Sequence, residues 1–129
     1  MCLDTVTKKY LRNKKKKVGY KVFFRGDESR LYGDYKSINS TRVREVWLNE
    51  EDFRDVGSCP VIKVCNTLTI YYATGFHFFE EKQDAEEWRR CKPSFCVCRC
   101  IGKDIRAEGL QDGVKVFVAK ELFIMRREE

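Results

Sequence analysis

The chain has 129 residues, of which 43% are hydrophobic and 36% charged, and its formal net charge is +6. This composition is typical of one globular domain and excludes an intrinsically disordered chain. The longest apolar runs are only a few residues, which excludes a membrane-spanning helix. The first residues lack the apolar stretch of a secretory signal, so we expect a cytoplasmic protein.

The first 17 residues show no hydrophobic periodicity and are rich in lysine. Residues 1–25 hold nine lysines and arginines against one acid, a net charge of +8, whereas the rest of the chain carries −2. We therefore predict a flexible basic arm over residues 1–17 and a single domain over residues 18–129. The run Lys14, Lys15, Lys16 and Lys17 can neutralise phosphates, which makes these lysines candidate nucleic-acid-binding residues. The alternative is a solvated segment that keeps the protein soluble.

Strands are expected where β-branched and aromatic residues cluster between turn residues. The predicted strands are, in chain order, residues 19–24, 31–32, 43–47, 61–65, 68–73, 75–79, 95–101, 105–107, 114–119 and 122–125. One helix is predicted over residues 80–90, because acids stand in its first turn and arginines in its last. Ala85 and Trp88 would face the sheet. The pattern predicts an α+β domain with a mostly antiparallel, twisted and partly split sheet and one principal helix.

Seven cysteines, an odd number, argue against a secreted disulfide framework. Cys96, Cys98 and Cys100 alternate, so they share one face of a strand, where neighbouring side chains are ~6.6 Å apart. Thiolates on one tetrahedral zinc lie closer, at ~3.8 Å. We therefore expect these thiols to pack as small apolar groups and expect no metal site. The alternative is a structural zinc site that uses Cys91, Cys96 and Cys98 around a turn at Pro93.

His77 is the single histidine, which excludes any multi-histidine site. Alternation places its side chain on the opposite face of the strand from Phe76 and Phe78, and it also separates Tyr71 from Tyr72. His77 is therefore either a hydrogen-bonded structural residue or a titrating group that faces a cleft.

Arg25 ends the first predicted strand beside Gly26, where a guanidinium can hold a phosphate or carboxylate through two hydrogen bonds. The alternative is an ordinary surface arginine. The chain has neither GxxxxGK[ST] nor GxGxxG, which disfavours a P-loop or Rossmann phosphate site.

Two resemblances can be drawn from these motifs. Most of residues 18–126 resembles small uncharacterised prokaryotic and phage-associated proteins with a GFHxF motif, through residues 19–23, 75–79 followed by Asp84-Ala85, 96–102 and 116–124. This resemblance implies no activity.

The order of elements is also similar to that of ADP-ribosyltransferases. In that family a first strand ends in Arg-Gly or His-Gly, a strand of the type at residues 75–79 leads into a helix, and a late strand carries a catalytic glutamate. Here Arg25-Gly26 matches the first motif, and Asp112, a shorter carboxylate, lies beside the place of the glutamate. The resemblance implies a nicotinamide dinucleotide in a cleft between two half-sheets.

Two functions follow from these observations. The first is a non-catalytic binding or accessory module, without a cofactor, whose basic arm contacts nucleic acid or an acidic protein. The second is an enzyme, or degenerate enzyme, of the ADP-ribosyltransferase type that binds NAD. Its candidate residues are Arg25, His77 and Asp112 for catalysis and Tyr71 and Phe76 for cofactor binding.

Overall fold

The computed structural model describes residues 3–25, 31–33, 46–53, 61–64, 70–73, 75–90 and 95–125, and these are mostly antiparallel β-sheet with one short helix. The strands are β1 (Thr5–Lys8), β2 (Lys17–Arg25), β3 (Leu31–Gly33), β4 (Trp47–Asn49), β5 (Val61–Lys63), β6 (Tyr71–Ala73), β7 (Phe76–Phe79), β8 (Phe95–Gln111) and β9 (Val114–Ile124). The helix α1 spans Lys82–Arg89, and a 3-10 turn spans Glu50–Phe53. No helix in the described ranges has the length and apolar character needed to cross a membrane.

The long hairpin of β8 and β9 is the framework of the fold. Its turn is Asp112-Gly113, and both residues have positive φ, 51° and 80°, as a two-residue hairpin turn of this sequence requires. We predicted four separate strands here, but the structure has two, of 17 and 11 residues. The ladder continues because a register shift between Ile105 and Ala107, next to Asp104 with φ 59°, bends β8 without ending it.

Four strands form a closed circuit of antiparallel pairings. β8 pairs with β2, β2 with β7, β7 with β9, and β9 again with β8. The closure between β2 and β7 consists of one residue pair, Tyr20 with Phe79. β1 extends the sheet beside β8, β4 beside β9 and β3 beside β2, while β5 and β6 form a separate two-stranded sheet. Closure leaves a narrow interior that side chains fill.

The core has two parts on opposite faces of the circuit. The interior cluster contains the aromatic rings of Phe76, Phe78 and Phe117 together with Cys98 and Cys100. The exterior cluster lies under α1 and contains Ala85 of that helix with Val22, Tyr72, Phe79 and Val118. Ala85 is buried and Trp88 packs against this cluster, so the predicted apolar face of the helix is confirmed.

The prediction of a flexible arm over residues 1–17 is corrected for the described residues of that segment. Leu3 is fully buried, and β1 pairs with β8 through Thr5–Leu110 and Val6–Gly109. Further along, Leu11 and Asn13 make backbone hydrogen bonds with Arg106 and Ile105. An edge strand joins a sheet through its backbone groups and here adds isolated apolar contacts such as Leu3, so no hydrophobic period is needed in the sequence.

Candidate functional site

His77 lies at the centre of a buried hydrogen-bond chain. Its Nε2 is 2.8 Å from the Tyr72 hydroxyl, and its Nδ1 is 3.1 Å from the carbonyl oxygen of Gly75. A carbonyl only accepts, so Nδ1 carries the proton and Nε2 accepts from Tyr72. The Tyr72 oxygen in turn accepts the backbone N–H of Leu3 at 2.9 Å. This chain of hydrogen bonds therefore links the N-terminal segment to β6 and β7.

The imidazole of His77 stays neutral at physiological pH. Burial, reinforced by the nearby Lys21 ammonium, lowers its pKa from 6.5 to about 3. Both ring nitrogens are used, since one donates to Gly75 and the other accepts from Tyr72. Of the two roles that the sequence allowed, the structure therefore favours the hydrogen-bonded structural one.

Lys21 closes the gap where β2 and β7 diverge. The ladder between β2 and β7 consists of the single pair of Tyr20 with Phe79. The Lys21 Nζ donates to the carbonyl of His77 at 2.7 Å, and its side chain is 1% exposed. A buried ammonium is costly without such partners, so Lys21 holds this junction of the circuit. Sequence reasoning missed this residue because a lysine in a strand is usually on the solvent side.

Among the described side chains, those proposed for NAD binding and catalysis do not converge on a cleft. Phe76 is fully buried in the interior cluster, whereas Tyr71 is 38% exposed on the β5–β6 sheet. Asp112 is exposed in the hairpin turn, where its N–H donates to Asp4. His77 pairs with Val118, six positions from Asp112, which corresponds to about 20 Å of strand. The side chain of Arg25 lies outside the described part of the structure.

The prediction that alternating cysteines pack as small apolar groups can be compared with the structure at Cys98 and Cys100. Cys98 and Cys100 are buried in the same cluster, on one face of β8, as alternation required. Burial raises the pKa of the Cys100 thiol to about 12. Cys91 and the side chain of Cys96 lie outside the described residues. Within the described ranges, no three His, Cys, Asp or Glu residues lie close enough together to hold a metal ion.

Cys100 is expected to resist alkylation in the folded protein. A pKa of about 12 in place of 9.0 lowers the thiolate fraction near pH 8 by about a thousandfold, and burial excludes the reagent as well. The measurement is iodoacetamide labelling followed by mass spectrometry, in which trypsin cleavage after Arg99 separates Cys98 from Cys100. The same peptides labelled after denaturation are the control. Rapid labelling of Cys100 in the native protein would contradict its burial.

An exposed site combines the lysine run with an aromatic ring. Lys14, Lys15 and Lys16 are exposed and lead into β2, and the Lys16 Nζ lies 5.4 Å from the centroid of the Trp47 ring. The Lys103 Nζ of β8 lies 5.7 Å from the same ring. Trp47 itself is 42% exposed on the edge strand β4. We call Lys14, Lys15, Lys16, Lys103 and Trp47 the basic–aromatic surface.

Lys17 differs from its three neighbours. It is half-buried, and its Nζ lies 4.7 Å from the centroid of the Phe117 ring of the interior cluster. Position 17 pairs with Gly102, so its side chain is on the inner face of the circuit. The four lysines predicted together are therefore of two kinds: three exposed residues that precede β2, and Lys17, the first residue of β2, which packs inward.

Trp47 is a site residue that sequence reasoning missed, because an aromatic residue in a predicted strand is usually part of the core. Its position becomes special only through pairing, since β4 joins β9 and brings Trp47 to the end of the lysine run. Comparison with protein-family models, with curated protein sequences and with solved structures gives no match to this chain.

Proposed function

We propose that the protein is a non-catalytic module that binds nucleic acid through the basic–aromatic surface. The observation that carries this proposal is the placement of two ammonium groups, Lys16 and Lys103, within 5.4 and 5.7 Å of the exposed Trp47 ring. Lysines neutralise phosphates and release their counterions, while an exposed indole can stack on a base. Phosphates and base faces are two of the contacts that nucleic acids offer.

The basic segment is held in place before any ligand binds. The backbone of Asn13 is paired with Ile105, and the Asn13 side chain accepts the N–H of Lys15 at 3.0 Å. β2 then begins at Lys17. Because both ends of the lysine run are fixed to the sheet, binding a phosphate backbone orders side chains but little main chain, which reduces the entropic cost of association.

An acidic protein is the competing partner, since carboxylates also attract lysines. The exposed Trp47 beside two ammonium groups favours nucleic acid, because a planar ring gives stacking energy to bases and much less to Asp or Glu side chains. The charge distribution fits either partner, so the test includes polyglutamate as a second ligand.

The first prediction is that binding depends on salt and on the exposed lysines. Replacing Lys14, Lys15 and Lys16 with Gln should weaken binding of a fluorescent oligonucleotide about tenfold or more at low salt. It should also make the slope of log K against log salt less negative by about 2, at roughly 0.7 for each lost phosphate contact to a single strand. Fluorescence anisotropy between about 50 and about 200 mM salt measures both quantities.

The matched control removes three positive charges elsewhere. Lys8, Lys9 and Lys82 are all exposed and lie on β1, after it and on α1. Their replacement with Gln gives the same net charge but should leave most of the binding and its salt slope intact. Equal losses in the two triple variants would reject a localised site. Binding of polyglutamate with no binding of oligonucleotide would assign the surface to an acidic protein instead.

A further inference from the structure

Strand register places four apolar side chains in one line on the outer face of the sheet. Trp47 of β4 pairs with Phe123 of β9, Phe123 with Ile101 of β8, and Ile101 with Val18 of β2. Directly paired residues project to the same face, so these side chains form a continuous row across four strands. We call Trp47, Phe123, Ile101 and Val18 the apolar row.

The apolar row is left open to solvent. Trp47 and Val18 at its two ends are 42% and 45% exposed, and Phe123 and Ile101 between them are half-buried. The Trp47 and Phe123 rings are in contact, with centroids 5.4 Å apart. Single exposed apolar residues are ordinary, but a contiguous exposed row is typical of a binding surface.

The same face is covered elsewhere, which makes the open row distinctive. Two rows further along the sheet, Val97 pairs with Val22, and both pack in the cluster that α1 covers through Ala85. The helix contacts β2, β7 and β8 there. Within the described part of the chain, α1 therefore covers one part of this face, and no helix covers the part beside the lysine run.

Positive charge surrounds the apolar row. Lys16 and Lys103 lie over Trp47, and Arg99 is exposed two positions from Ile101 on the same face of β8. Among the described residues, carboxylates also lie near the lysines of the basic–aromatic surface: Glu121 is 3.9 Å from the Lys103 Nζ, and Asp104 interacts electrostatically with Lys14. A row of apolar and aromatic groups bordered by cations matches a chain of bases bordered by phosphates, and an apolar protein segment would not use the cations.

We infer that the apolar row is a base-stacking platform and that the protein prefers single-stranded to double-stranded nucleic acid. This inference rests on the proposed function and specifies its substrate class. Four strands span three gaps of ~4.8 Å, so the row is ~14 Å long and holds two or three unpaired bases. Bases in a duplex are stacked on one another and do not present their faces to a sheet, so the platform contributes nothing to duplex binding.

Trp47 can report its own contact with a base. The chain has two tryptophans, and a Trp88→Phe background leaves Trp47 as the single indole emitter. The probes are oligothymidine and oligouridine of about 12 nucleotides and a duplex of equal length. We expect strong quenching of Trp47 fluorescence by the single strands and little by the duplex, with the single strands binding more tightly at matched salt.

Substitution of Trp47 tests whether the platform contributes affinity. Trp47→Ala should weaken single-strand binding about tenfold or more and leave duplex binding unchanged, while Trp47→Phe should retain part of the affinity. The control is Tyr71→Ala, an aromatic of similar exposure, 38%, that lies on β6 away from the row. Circular dichroism melts establish that each variant is folded. If Trp47→Ala is not folded, the single-strand affinity of Trp47→Phe is used in its place.

The outcomes separate the two proposals. If Trp47→Ala binds like Tyr71→Ala while the triple lysine variant loses binding, the protein binds nucleic acid but the apolar row is not a platform. Equal affinity of the wild-type protein for single strands and duplex would also overturn the inference. If the triple lysine variant binds as well as its matched control, the proposed function itself fails.

Discussion

Between pH 6.5 and about pH 4.5, the free energy of unfolding is expected to fall by about 2 kcal/mol because of His77 alone. Folding lowers the pKa of this residue from 6.5 to about 3. The unfolded chain therefore binds a proton in this range and the folded protein does not. The contribution of His77 to stability is present in full above pH 6.5 and is lost as the pH falls toward about 3.

The pKa of His77 is low because its ring is buried, and both ring nitrogens already have hydrogen-bond partners. A second proton would have to sit on Nε2, which already accepts the Tyr72 hydroxyl at 2.8 Å, in a buried site close to the Lys21 ammonium. The Asp104 pKa is lowered as well, through its hydrogen bond with Arg106, but from 3.8. Asp104 thus affects stability mainly near and below pH 3.8 and contributes little between pH 6.5 and about pH 4.5.

Because the chain has one histidine, its ring can be followed directly by NMR. The carbon-bound ring protons of His77 should keep the chemical shifts of a neutral imidazole down to about pH 4.5, and nitrogen shifts should show the proton on Nδ1. Chemical denaturation of wild type and His77→Gln over the same pH range gives the energetic contribution as the difference in slope. A ring that titrates near 6.5 in the folded protein, or equal slopes in the two proteins, would contradict the buried hydrogen-bond chain.

The second large effect concerns two glycines that share one aromatic ring. A Cβ at Gly102 would lie 2.5 Å from two atoms of the Phe78 ring, and a Cβ at Gly19 would lie 2.4 Å from the same ring. We expect Gly102→Ala and Gly19→Ala each to destabilise the protein by about 3 kcal/mol, as overpacking of a closed interior does. Thermal or denaturant unfolding measures the loss.

A smaller ring partner distinguishes the two sites. At Gly102 the close contacts are side-chain atoms of Phe78, so Phe78→Leu should recover much of the loss in the double variant. At Gly19 the new Cβ would also lie 2.5 Å from the backbone oxygen of Phe79, which no side-chain change removes. A coupling energy with Phe78 of ~1 kcal/mol or more is therefore expected for Gly102 and a smaller one for Gly19.

Gly113→Ala is the control substitution for the two glycine variants. Gly113 has φ +80°, and a Cβ added there would have no atom within 4 Å, so Gly113→Ala adds conformational strain without a clash and should cost about 1 kcal/mol. If Gly102→Ala costs no more than Gly113→Ala, or if Phe78→Leu gives no recovery, the Phe78 ring does not fill the interior between β2 and β8.

Local patterns in the sequence were sufficient for elements that depend on neighbours along the chain. Alternation correctly placed His77 on the opposite strand face from Phe76 and Phe78, and Tyr71 on the opposite face from Tyr72. The Asp112-Gly113 dipeptide correctly indicated the hairpin turn. The helix was recognised from its charged ends, although it is shorter than the predicted residues 80–90. These features require only periodicity and turn chemistry, which a single sequence contains.

Features that depend on distant pairing were not predictable. The sequence around Thr5 does not indicate that β1 pairs with residues 108–110. The sequence around Trp47 does not indicate that Lys103 lies near its ring. The buried Lys21 is explained only by the divergence of β2 from β7. Only part of the candidate site could therefore be predicted. The lysine run could be recognised in the sequence, whereas the aromatic partner of these lysines and the apolar row depend on the strand register.

The closed circuit of β2, β7, β9 and β8 also sets an order of assembly during synthesis. β1 and β2 both pair with β8, and β7 pairs with β9, so none of these three strands has its full set of neighbours until residues 95–124 have left the ribosome. The β8–β9 hairpin is local and forms fast, whereas joining position 20 to position 79 closes a long loop. During synthesis β2 therefore has only β3 as a local partner, and β1 and β2 wait for β8 until residues 95–111 emerge.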